Sequence, residues 1–72
     1  MTGNLPKALA DLSKSEQYER SAISEMATAA PDLVKRQYVP TLKYILKIEA
    51  QVLEALGKTE EATAKTSEAA KL

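Results

Sequence analysis

Apolar side chains recur through residues 32–56 at Leu33, Val34, Tyr38, Val39, Leu42, Tyr44, Ile45, Leu46, Ile48, Val52, Leu53 and Leu56. Turned through about 100° per residue, most of them (Val34, Tyr38, Leu42, Ile45, Leu46, Val52, Leu53, Leu56) fall on one arc. That is the pattern of an amphipathic helix with a core-facing stripe. Glu49 lies at the centre of the arc. No stretch alternates strictly between polar and apolar, as a half-buried strand would. The pattern therefore predicts an all-α fold, a small antiparallel bundle built on a helix hairpin.

Pro40 falls inside this stripe. It has no N–H to offer the carbonyl of Arg36, and its ring crowds that turn. Since the arc continues across it, from Val34 and Tyr38 to Leu42 and Ile45, one long kinked helix over 32–56 is expected, with a break into two helices as the alternative.

Upstream, Leu5, Leu9 and Leu12 follow i, i+4, i+7 spacing behind Asn4, a candidate cap, and Pro6. This reads as a short leading helix. Ser13 followed three positions later by Glu16 fits a capping box and predicts a bend or restart near 13–15; a single helix from 5 to 30 is the alternative. Residues 16–30 carry a narrower stripe of Tyr18, Ala22, Ile23, Met26, Ala29 and Ala30. At Ala30-Pro31-Asp32 the residue before proline leaves the α region and proline suits a first helical turn, so the chain turns back there. The short connection makes its flanking helices antiparallel neighbours.

Downstream, Gly57 suits a left-handed C-cap and Thr59 an N-cap, with Glu60 and Glu61 placed favourably against the next helix's dipole. Past that point only Ala62, Ala64, Ala69, Ala70 and Leu72 are apolar. A weak, loosely docked terminal helix is expected, and removing 59–72 should cost under about 1 kcal/mol. Residues 1–72 read as a single small helical domain, with 1–4 and the end of 59–72 frayed.

Residues 55–72, ALGKTEEATAKTSEAAKL, resemble the turn and second helix of a tetratricopeptide repeat, with Gly57, Glu61, Ala62, Ala69 and Leu72 at that family's small and apolar positions. The preceding helix departs from the pattern: Glu49 stands where the family has Leu, and Leu46 where it has a bulky aromatic. No second copy lies upstream. The resemblance implies a repeat fragment, and such repeats need neighbours to bury their faces.

Composition narrows the chemistry. The 72 residues contain no Cys, His, Trp or Phe, so disulfides and thiolate metal sites are excluded and the usual proton carrier near neutral pH is missing. Ser13, Ser15, Ser21, Ser24 and Ser67 have no histidine base and no glycine-rich elbow or phosphate loop beside them. No catalytic residue and no cofactor is expected. Ten basic and ten acidic residues cancel, which argues against nucleic acid as a partner. Lys35, Arg36, Lys43 and Lys47 read as a solvated basic side of the long helix. No uncharged run approaches membrane-spanning length and no signal peptide is evident, so a cytoplasmic protein without a membrane partner is expected.

Glu49 is the polar outlier. A bare buried carboxylate is costly. Counted from the turn at Pro31, its depth sets it opposite 13–16, where Lys14 is a candidate partner; a cation from a second chain and escape to the solvent edge are the alternatives. Glu19 also faces inward, so Glu19 and Glu49 together suggest half of a ferritin-like carboxylate metal site. That site calls for a His three residues after the Glu, where Val52 stands, so no metal is expected and the pair is kept as the alternative.

The long helix also has more apolar surface than its predecessors can cover. Tyr44 and Ile48 lie about 100–140° off the main arc, with Thr41 and Ala55 on the same side, and an uncovered apolar strip usually marks an interface. The expected function is a non-catalytic protein-interaction module (adaptor, small chaperone or co-chaperone, or regulatory subunit) that binds a protein partner or a second copy through Thr41, Tyr44, Ile48 and Ala55. The alternatives are the metal-binding hairpin, a tetratricopeptide-like fragment and a self-assembling structural helix pair.

Overall fold

The computed structural model describes residues 4–72. The fraying expected at the N-terminus falls, for residues 1–3, outside the described residues. The elements are α1 (Asn4–Met26), α2 (Pro31–Leu33), a π turn (Val34–Tyr38), α3 (Val39–Ala55) and α4 (Thr59–Lys71). In space α2, the π turn and α3 form one helical rod, and α1 and α4 both pack against α3. The fold is an all-α antiparallel bundle, as the apolar periodicity requires.

Helix α1 runs through the expected bend without interruption. The capping box at Ser13 does not form, because the Glu16 carboxylate is drawn to Arg20 and Lys65 instead of turning back to the Ser13 amide. With no competing cap, the good helix formers around it carry the helix on. The helix ends at Met26, ahead of the expected position 30. Ala30 then leaves the helical region at φ −144°, ψ 65°, Pro31 opens the next helix, and Val34 N–H bonds to the Ala30 carbonyl at 3.1 Å.

The π turn is how the rod accommodates Pro40. Val39 N–H reaches back five residues to the carbonyl of Val34, while Tyr38 and Val39 keep helical dihedrals. One extra residue in the turn widens it just before the ring that would otherwise meet the Arg36 carbonyl. The long helix is thus neither cleanly α-helical nor broken.

At the other end, Gly57 takes φ 80°. Its N–H bonds to the Glu54 carbonyl at 3.0 Å, and that of Lys58 to the Leu53 carbonyl at 2.8 Å. These are the paired bonds of a Schellman turn. Thr59 does not cap α4: the turn is so short that Lys58 occupies the cap position without a side-chain bond and Thr59 is already helical. Glu60 and Glu61 do occupy the first turn.

The core is small and lies along α3. One cluster joins Leu42, Leu46 and Ala69, with Ile23 against it; another joins Ala50, Leu53 and Ala62, with Leu9 against it. Moving up α3 from 46 to 53 therefore means moving down α4 from 69 to 62 and down α1 from 23 to 9. Both neighbours are antiparallel to α3. The terminal helix, expected to bury almost nothing, buries Ala62 and Ala69 to 0 % and 1 % exposure. A methyl group gives up little area, but it lets the α4 backbone close on the leucines of α3.

Deleting residues 59–72 should therefore cost about 3 kcal/mol or more, since it uncovers Leu42, Leu46 and Leu53 together. Ala62→Leu and Ala69→Leu should each cost about 1–3 kcal/mol by overpacking. Ala70→Leu, on the exposed side of α4, should stay within about 0.5 kcal/mol. Thermal melts of the four proteins measure this; an unchanged melting temperature for the deletion would show that α4 does not dock.

Candidate functional site

Two surfaces hold the chemistry of the described residues: a polar layer inside the bundle and the outward side of α3. The layer starts from Glu49, which is 1 % exposed and sits one turn from Leu46 and from Leu53. At the same depth α1 contributes Glu16, also buried, and α4 contributes Lys65. The Lys65 Nζ donates to Glu16 Oε1 at 2.8 Å and lies 3.8 Å from Glu49 Oε2. The Arg20 Nε donates to Glu16 Oε2 at 2.6 Å, and its Nη2 donates to Glu68 Oε2. All three helices thus contribute to one charged layer, and it separates the two apolar clusters.

The layer holds three carboxyls, Glu16, Glu49 and Glu68, against two cations, Arg20 and Lys65. A single bound proton makes it neutral. Burial, together with the hydrogen bond and negative charge of Glu16, pushes Glu49 up to about 7 against the opposing pull of Lys65 and Arg20. Burial acts in the same direction on Glu16, but the hydrogen bonds from Glu49, Lys65 and Arg20 outweigh it and hold Glu16 down at about 2. Below about pH 7 the layer's proton therefore sits on Glu49, from which it can be donated to Glu16. Glu49 Oε1 is buried and makes no hydrogen bond among the described residues.

An open cleft of about 290 Å³ borders this layer, lined by Leu9, Ser13, Glu49, Leu53 and Lys65 among others. The Ser13 hydroxyl makes no hydrogen bond to these groups. Burial disfavours the Lys65 charge, but the bond to Glu16 and the field of Glu49 raise its pKa, so it remains an ammonium.

The expected residues distribute as follows. Glu49 is buried at the depth the arc gave it. Lys14 is exposed and is not its partner, because α1 passes straight through 13–16 and carries Lys14 to the outside. The cation comes from α4. The carboxylate that meets Glu49 is Glu16, not Glu19. Glu19 Oε2 is buried without a hydrogen-bond partner among the described residues. No group of three His, Cys, Asp or Glu among the described residues is placed to hold a metal ion. Sequence reasoning missed Lys65, Arg20 and Glu68. The signals were present: Arg20 is four residues from Glu16, and Lys65 lies between Ala62 and Ala69 on the small-residue stripe of α4.

On the outward side of α3, Tyr44 is 66 % exposed, Thr41 and Ala55 are exposed and Ile48 is half-buried. At about 100° per residue these positions lie opposite Leu46, away from the side that α1 and α4 cover. The Thr41 Oγ1 donates to the Gln37 carbonyl within its own helix, at 2.8 Å. Lys35, Arg36, Lys43 and Lys47 have no ion-pair partner among the described residues. Among those residues, no helix is long and apolar enough to cross a membrane.

No family model matches the chain, and no curated protein and no solved structure matches it either.

The layer predicts an unusual pH dependence. Glu49, raised above its unfolded value, contributes stability that is present below about 4.5 and is lost as pH rises through about 7. Glu16, lowered, contributes stability that is present above about 4.5 and is lost as pH falls toward about 2. The melting temperature should peak near pH 4.5–6 and fall by about 5–10 °C by pH 8.5. Glu49→Gln, which keeps a donor for Glu16 without the titration, should lose the alkaline decline. Lys65→Met should cost about 2 kcal/mol at pH 7, since it strands the carboxylates. Melting curves across this range check all three proteins; a wild-type curve that is flat or rising up to pH 8.5 would show that Glu49 holds no proton.

Proposed function

We propose that this chain is a non-catalytic protein-interaction module that works through the outward side of α3. The observation that carries the reading is Tyr44, a large aromatic 66 % exposed on the middle of the most firmly held helix, with Ile48 half-buried one turn on. Exposed aromatic and aliphatic groups that share one face supply the apolar anchor of an interface. The opposite side of α3 is clamped by α1 and α4, so binding would order nothing new and would lose little conformational entropy. A rigid helix face laid against another helix or groove is a common recognition mode, shared by adaptors, small co-chaperones and regulatory subunits.

Replacing Tyr44 with a photoreactive benzophenone amino acid, in the chain expressed in its organism of origin, tests the reading. Tyr18, at 72 % exposure on α1, provides the control position. Irradiation should yield a discrete cross-linked species from position 44 and none from 18. Tyr44→Ala should weaken the interaction about tenfold or more. No adduct at 44, or the same adducts from both positions, would defeat the proposal.

A further inference from the structure

Building on that reading of the α3 face, we infer that its partner is a second copy of the same chain, packed antiparallel across a two-fold axis between Glu49 and Ala50. The outward positions Thr41, Tyr44, Ile48, Gln51 and Ala55 are spaced three, four, three and four residues apart. This is the alternation of a coiled-coil seam, and it lies opposite the helix's own core-facing stripe. Helix α3 therefore has two faces of helical period, one packed by its own chain and one left largely exposed among the described residues.

The charges beside the seam decide the orientation. Lys47 and Glu54 are both exposed, lie seven residues apart on one flank, and have no ion-pair partner among the described residues. In an antiparallel two-fold pair each flank meets the same flank of the other copy, so Lys47 faces Glu54 of the second copy and the contact occurs twice. In a parallel pair that flank meets the opposite one, and Lys47 would face the uncharged Val52. Only the antiparallel arrangement satisfies both charges.

Side-chain size agrees with the same register. It sets Tyr44 against Ala55 of the second copy, large against small, and Ile48 against Gln51. In the layers from 44 to 55 Gln51 is the polar member, the kind of residue that fixes register at some cost in stability. The layers from 44 to 55 span about 17 Å of helix. An interface of that length belongs to the small, reversible class.

The chain lacks cysteine, which makes disulfide trapping a direct test. Ile48→Cys and Gln51→Cys chains, mixed and mildly oxidised, should give mainly the 48–51 linked dimer, and Gln17→Cys on exposed α1 should give none. In analytical ultracentrifugation Lys47→Glu should weaken the dimer about tenfold, and adding Glu54→Lys should restore it. Both positions are exposed, so these changes leave the bundle intact. Predominant 48–48 linkage, meaning a parallel pair, or a monomer at 100 µM with no preferred linkage, would overturn the inference. If the inference fails while position 44 still yields a photo-adduct of greater mass than two chains, the interaction reading survives with a foreign partner; with no adduct, both fall.

Discussion

The Lys65 ammonium between Glu16 and Glu49 is the contact on which the rest of the bundle depends. Leucine against alanine is a tolerant pairing, and the two apolar clusters alone would permit α4 to slide along α3. A slip of one turn moves a side chain about 5.4 Å. It would leave two buried carboxyls facing methyl groups and Lys65 without its anions, at a cost of several kcal/mol. The charged layer thus fixes the register of all three helices at once, and it does so with a cation from the last helix in the chain. The layer contributes less net stability than an apolar one would, because its members give up their hydration. Its contribution is to make one arrangement of the bundle much better than its neighbours.

The same economy of apolar volume shows in the core. Three of the eight buried hydrophobic residues are alanines. A chain of 72 residues has little interior to fill. Placing alanines at the α3–α4 contact brings the helices close and leaves the larger side chains of α3 free to face α1, or to face outward. Tyr44 and Ile48 could have been spent on the core and were not.

Much of the architecture was legible because it rests on period. The arc through Val34, Leu42, Ile45, Leu46 and Leu53 marks the central helix, and Gly57 marks its end by the left-handed backbone a Schellman turn demands. The failures were of two kinds. At Ser13 and Thr59 a local capping signal lost to tertiary structure: the Glu16 side chain had better partners elsewhere, and the turn after Gly57 was too short to leave Thr59 outside the helix. At α4 the error was to weigh alanine by its volume, when its value is the approach it permits. The same property conceals Lys65, because a helix with so little apolar volume carries no sequence signal that its cation closes on Glu49. The burial of Glu49 could be read from its neighbours three and four residues away; its partner, sixteen positions on, depended on knowing which helix face closes.

The π turn before Pro40 has a consequence for how such a sequence can change. The turn holds one more residue than an α-helix needs, and the proline has one less hydrogen bond than an α-helix supplies. Each compensates for the other. Loss of one residue between 34 and 38 would return the ring to a collision with the carbonyl before it, while loss of the proline alone would leave a wide turn with nothing to accommodate. The two features are therefore a matched pair, and an uninterrupted α-helix here would require removing the proline and one residue of the turn together.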